Sequence, residues 1–262
     1  MRQLDRAVVR RDAGGRPLPS PFQVFRDNKI SFRAGETSMI AGQPGNRKSS
    51  LALWVVTQWV SRHNLRGIYF SADSSELVQA GRALAMVSHG LDASEAEQRL
   101  KEGDDTSLET LHRELNGLGW CFDPDITYDG IALEIDAFVE LWGMFPDFIV
   151  IDNLTDVDGQ GDDEWGTLRK VMKALVSLAR ATGAHVMVLH HTSEDFKDDP
   201  CPPRKAIQGK VSQKPSLILT IGGIQNEKVP VNVAKNRYGP GDRTGSSAIW
   251  LPYNQRSFTF SG

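Results

Sequence analysis

The chain has 262 residues and a mass of 29.0 kDa, and its 40% hydrophobic and 24% charged residues exclude a disordered or fibrous protein. No apolar run reaches 18 residues, which excludes a membrane-spanning helix. The N-terminus shows no apolar signal core, and Cys121 and Cys201 form no CxxC pair, so a reducing cytoplasmic setting is expected. The net charge of −3 is a cancellation: residues 1–70 carry 12 Lys/Arg against 4 Asp/Glu, residues 71–165 carry 4 against 23, and residues 166–262 carry 14 against 6. That balance argues against nucleic-acid binding by bulk positive charge and leaves room for local anion-binding surfaces.

Residues 1–20 hold Gly-Gly, two prolines and five arginines without apolar periodicity, so residues 1–31 are expected to be an arm or linker ahead of one domain at 32–262. A short buried strand is expected at 38–41, ending in a Gly/Pro turn at 42–45, followed by an apolar helix at 49–61. A strand at 67–70 leads into a helix at 75–88 opened by a Ser-Ser cap. Polar helices at 91–118, a strand at 120–122 and a helix at 130–142 come next.

The run 148–152 reads as a continuous buried strand ending in Asp152. Helix 164–182 places Leu168, Val171, Met172, Leu175 and Leu178 at helical spacing. A strand at 186–189, a polar loop at 192–214 with three prolines, and strands at 217–221, 229–234, 248–251 and 258–260 complete the chain, several of the last antiparallel. Strands alternating with helices imply an α/β fold with a mainly parallel sheet covered on both faces.

The segment Gly42, Gln43, Pro44, Gly45, Asn46, Arg47, Lys48, Ser49, Ser50 lies between a strand and a helix, the setting of a phosphate-binding loop. Glycines let backbone N–H groups turn around phosphate oxygens, Lys48 reaches the terminal phosphates, and the Ser49 hydroxyl can hold Mg²⁺. Arg47 stands where the pattern GxxxxGK[ST] has glycine. It is expected to strain the backbone if φ is positive there, or to add a cation if Gly45 takes the strained position.

Asp152 suits a Mg²⁺-organising carboxylate, although any buried strand can end in a solvated Asp. Asp73, at the end of the 67–70 strand, can orient the attacking water or cap the next helix. In His190-His191 the two imidazoles leave opposite faces of a strand, so one can sense a phosphate or both can be structural. Lys235 and Arg237 share a side of a late strand and suit a phosphate, or guard a sheet edge. Arg204, Lys205 and Lys210 in the polar loop are candidate contacts to a DNA backbone, or solvated loop charges.

Taken together, these segments resemble the RecA-like P-loop ATPase core of DnaB-type hexameric replicative helicases. The resemblance covers roughly 32–260 and is carried by residues 32–53, 68–78, 120–139, 146–157, 178–192 and VNVAKNRYGP at 231–240, and the His-His-Thr ending is closer to plasmid RepA-type and phage members. Asp73 stands where that family usually has glutamate, and His191 where it usually has glutamine. The resemblance implies bound ATP and Mg²⁺, a ring or filament of identical subunits, and Lys235 and Arg237 acting in trans on a neighbour's nucleotide. It also implies loops 153–165 and 192–214 facing single-stranded DNA.

The expected activity is ATP hydrolysis by a helicase-type motor in DNA replication or recombination. Three alternatives stay open: a recombination ATPase without unwinding, a metal-dependent nuclease using the acidic segment 152–164, and an ATP-dependent DNA-binding or loading protein with little turnover.

Overall fold

The strand Phe148–Asp152 (β4) is buried at all five positions because sheet neighbours and helices enclose it on every side. The computed structural model describes residues 15–88, 90–158, 163–196 and 200–261. Its other strands are Thr37–Gly42 (β1), Gly67–Ser71 (β2), Leu118–Cys121 (β3), His185–His191 (β5), Leu217–Ile221 (β6), Lys228–Asn236 (β7), Ile249–Asn254 (β8) and Thr259–Phe260 (β9). They form one nine-stranded sheet in the order β3-β2-β4-β5-β1-β6-β7-β8-β9. Pairs from β3 to β6 are parallel, and β7, β8 and β9 add antiparallel strands at one end, as the sequence implies.

The helices are Gln23–Asp27 (α1), Lys48–His63 (α2), Glu76–Val87 (α3), Ala93–Lys101 (α4), Asp105–Leu115 (α5), Tyr128–Trp142 (α6) and Glu164–Thr182 (α7). One face of the sheet packs a core around Trp59 of α2, whose ring meets Phe32 edge-on at 5.4 Å and Phe148 at 5.3 Å. The other face packs Val171, Met172 and Leu175 of α7 with Ile135 and Phe138 of α6. The apolar stripe read from the sequence of α7 is the stripe that faces the sheet.

Three expectations need revision. Residues 15–31 do not hang off the domain as an arm: Phe22, Phe25 and Ile30 are buried in the Trp59 core. The Trp59 indole donates to the Pro19 carbonyl at 2.6 Å, and Leu18 N–H bonds Phe32 O at 2.8 Å. Two phenylalanines in a short segment are too few to show a period, so only the packing reveals them. Residues 1–14 lie outside the described residues.

The third strand runs from Leu118 rather than from 120, because Leu118 pairs with Gly67 at the start of the parallel ladder. The loop 192–214 holds three short 3₁₀ segments, Glu194–Phe196, Arg204–Ala206 and Gln208–Gln213, too short to leave a periodic signature. Its residues 197–199 lie outside the described set. Among the described residues no helix is long and apolar enough to cross a membrane.

Candidate nucleotide-binding site

The turn after β1 is the centre of the site, since β1 lies inside the sheet and its C-terminal end feeds directly into the first turn of α2. Gly45 has φ +81° and Arg47 φ +64°, so both residues are left-handed and the strain expected at Arg47 is present. Arg47 sends its guanidinium toward Phe258, 5.9 Å from the ring centroid, and its Nε is buried with no protein partner. The loop is fixed from both sides: Gln43 Nε2 donates to Ser193 O at 2.7 Å, and Asn46 Nδ2 to Ile221 O at 3.3 Å. Pro44 is exposed, and Ser50 is buried in the first turn of α2.

Gly42 tolerates no side chain, because a Cβ there would lie 2.7 Å from Ile221 O of the adjacent β6. Lys48 is only 6% exposed, and its ammonium donates to Gln43 O at 3.0 Å. Burial pushes its pKa down to about 8, against the opposing pull of Asp152 and Asp73.

The parallel register carries the carboxylates to the same edge. Ser71 pairs with Asp152, which sets Asp73 and Asp152 on adjacent strand ends. Asp152 is 4% exposed and accepts from the Tyr69 hydroxyl at 2.8 Å, and the Ser49 hydroxyl lies close enough to favour its charged form. Burial raises the Asp152 pKa, and these donors and Lys48 oppose the rise. Asp73 is exposed and accepts from Asn153 Nδ2 at 2.8 Å. Its helix-capping alternative does not hold, since Ser75 is the N-cap of α3.

The two histidines part as strand geometry requires. His190 is fully buried with Nε2 3.1 Å from Gln208 O, whereas His191 is half-buried and feels Lys48, Asp156 and Asp73. Burial, then Lys48, lowers the His191 pKa, and its Nδ1 has no partner. Tyr69 and Asn153 are the site neighbours that the sequence does not mark: nothing in an apolar strand singles out a tyrosine until register sets it beside Asp152.

Lys235 and Arg237 lie at the other end of the sheet. Lys235 pairs with Ile218 at the start of β6, and Arg237 N–H bonds Ser216 O just before that strand. Gly42 pairs with Ile221 at its far end, so Arg237 is about 16 Å along the strands from its own phosphate loop. Arg237 contacts both oxygens of Glu36, at 3.1 and 3.3 Å, and the Tyr238 hydroxyl donates to Glu36 at 2.8 Å. Lys235 donates to Gln213 O at 2.7 Å.

Arg204 donates to Ser212 O at 2.9 Å, while Lys205 and Lys210 are exposed and Lys210 has φ +56°. None of these three is among the charges that act on Lys48, which are Asp152 and Asp73. Among the described residues, the acidic run 152–164 does not gather as one metal site. Asp156 closes a capping box with Asn153, Asp163 caps α7, Asp158 is exposed, and residues 159–162 with the Glu164 side chain lie outside what is described. Among the described residues, no three His, Cys, Asp or Glu side chains cluster to hold a metal ion.

The donors present fit a Mg-nucleotide. Ser49 and Asp152 are the hard oxygen ligands that Mg²⁺ prefers. The buried Lys48 cation and the unpartnered Arg47 Nε and His191 Nδ1 are polar groups suited to phosphate oxygens. A helix entered from a glycine-bearing turn on a parallel strand, with carboxylates on neighbouring strand ends, defines a P-loop NTPase domain of the RecA-like fold.

The chain belongs to the AAA domain family, whose model matches residues 29–196. It is 28% identical over 256 residues to the Gene 65 protein of Mycobacterium phage L5, covering 93% of this chain and 92% of that one. With the Gene 65 protein of Mycobacterium phage D29 it is 29% identical over 227 residues, covering 82% and 94%. Among solved structures, the fold is shared with one described as an ATPase domain, with a TM-score of 0.80 at 15% identity over 99% of this chain and 98% of that one. It also matches a DnaB-like replicative helicase described with its interactions with primase, with a TM-score of 0.77 at 14% identity over 93% of this chain. The match spans 63% of that helicase chain.

Proposed function

We propose that the protein is a Mg²⁺-dependent ATP hydrolase acting on DNA, a helicase-type motor of the DnaB kind in replication or recombination. The observation that carries this reading is the convergence of Lys48, Asp152 and Asp73 at one sheet edge. Lys48 and the N–H groups of 42–50 bind and orient the phosphates. Ser49 and Asp152 would hold Mg²⁺, which supplies charge neutralisation on the phosphate oxygens. Asp73, exposed and steadied by Asn153, orients the attacking water and accepts its proton. His191 donates a hydrogen bond toward the terminal phosphate and passes its state to the loop after β5.

Lys235 and Arg237 cannot reach their own loop from the far end of the sheet, which supports their acting in trans within a homo-oligomer, a hexameric ring or filament. Arg204, Lys205 and Lys210 are the proposed contacts to single-stranded DNA, and a cytoplasmic location follows from the same reading. The test is ATP hydrolysis with and without single-stranded DNA, in wild type and Lys48→Ala. DNA-stimulated turnover lost in the variant is expected, and wild-type protein that binds no ATP would sink the proposal.

A second reading, an ATP-dependent DNA-loading protein with little turnover, is favoured by one contact: Arg237 is taken up by Glu36 of its own chain. Tight ATP binding without turnover, with DNA present, selects it. A duplex-unwinding assay separates the motor from a recombination ATPase.

A further inference from the structure

A cleft of about 910 Å³ opens beside the 204–213 segment, and its walls carry Arg204, Lys205, Lys210 and Arg243. Among the described residues none of these four cations forms an ion pair. Among the described residues, the carboxylate that lines the cleft, Asp195, is bonded by the Ser193 hydroxyl at 2.9 Å. A fifth cation adjoins it, for Lys235 donates to Gln213 O in the cleft wall. Burial, and after it Arg204, Arg237 and Arg243, push the Lys235 pKa down to about 8. Like charges gathered on a partly buried surface repel, and an anion removes that cost.

Arg243 is also presented by a rigid loop. The Asp242 carboxylate accepts from the Thr244 and Ser247 N–H groups at 2.8 Å each and from the Ser246 hydroxyl at 3.1 Å. Arg204 N–H bonds Arg243 O at 3.0 Å. A Cβ on Gly245 would lie 2.3 Å from Cys201 O, so glycine lets the loop lie directly on the 201–204 backbone. No residue of the phosphate loop lines this cleft, and the two share no acting charge: Asp152 and Asp73 act on Lys48, whereas Arg204, Arg237, Arg243 and Glu36 act on Lys235.

We propose that this cleft is a second phosphate-binding site, distinct from the Lys48 loop, in which Arg243 is a phosphate-binding residue acting with Arg204 and Lys235. Its ligand is a phosphate ester, supplied by a single-stranded nucleic acid or by the nucleotide of a neighbouring copy. The identity of those two sources rests on the function proposed above; the cation cluster does not. The side chain of Arg243 is exposed, and substitution leaves its carbonyl bond to Arg204 in place, so Arg243→Gln is expected to fold.

The test uses the full chain with two probes: a labelled single-stranded 20-mer followed by anisotropy over a salt series, and a fluorescent ATP analogue titrated at rising protein concentration. If the source is nucleic acid, Arg243→Gln weakens the 20-mer about tenfold and flattens the salt slope by about one, while Arg243→Lys retains most of the affinity. If the source is a neighbour's nucleotide, the 20-mer is unaffected and the concentration-dependent gain in analogue affinity is lost. Folded Arg243→Gln that matches wild type with both probes overturns the inference. Lys48→Ala with unchanged analogue binding strikes the proposed function instead, and leaves the Arg243 comparison readable.

Discussion

The Tyr69 hydroxyl donates to Oδ2 of Asp152 at 2.8 Å, joining two side chains that are 0% and 4% exposed. The bond holds one carboxylate oxygen and so orients the other. Tyr69→Phe keeps the ring that packs against Trp120 at 5.1 Å and removes only the donor. A buried charged acceptor that loses a donor costs about 1–3 kcal/mol, so urea unfolding is expected to shift to a lower midpoint with unchanged slope. The Mg²⁺ concentration needed for half-maximal nucleotide binding is expected to rise as well. Unchanged stability and Mg²⁺ dependence would remove Tyr69 from the site.

At position 47 the backbone, rather than the side chain, sets the expected outcome. With φ +64°, any L-residue is strained there, and Arg47 offsets part of that through its contact with Phe258. Arg47→Ala keeps the strain and loses the contact, whereas Arg47→Gly relieves the strain. The glycine variant is therefore expected to exceed the alanine variant by about 1 kcal/mol in chemical unfolding. Equal stabilities would mean that the loop relaxes out of the left-handed conformation.

The legible parts of the sequence were those with one strong local signal. β4 is an unbroken apolar run and α7 a clean helical stripe, and both occupy the ranges read from them. The phosphate loop is likewise a local pattern. Relationships between distant residues were not legible. Arg237 meets Glu36 across 201 positions, Tyr69 meets Asp152 across 83, and Arg243 joins Arg204 only after both loops have folded. Each depends on strand order and register, which no local period encodes.

Acidification is expected to destabilise the fold through its buried histidines. His185 lies between Phe32 and Trp59, with Nε2 2.8 Å from Ser38 Oγ and Nδ1 2.9 Å from Arg33 O. Burial pushes its pKa down to about 4, and does the same to His190. An unfolded histidine titrates near 6.5, so below that pH the unfolded chain binds more protons than the folded one. Stability is then flat above about pH 6.5 and falls as pH drops toward 4, by roughly 2 kcal/mol per histidine at pH 5. Urea unfolding at pH 7 and pH 5 measures the difference, and equal values would require both rings to be protonated in the folded state at pH 5.

The placement of Lys48 and Arg237 at opposite ends of the sheet predicts complementation between two inactive variants. Lys48→Ala lacks the loop cation but keeps the arginine, and Arg237→Ala has the reverse defect. In an equal, randomly mixed homo-oligomer, roughly a quarter of the interfaces pair an intact loop with an intact arginine. Mixing is therefore expected to restore ATP hydrolysis to about that fraction of wild type, where either variant alone has almost none. If the mixture stays as inactive as its components although light scattering shows that they co-assemble, Arg237 does not act on a neighbour's nucleotide, and its pairing with Glu36 is its working state.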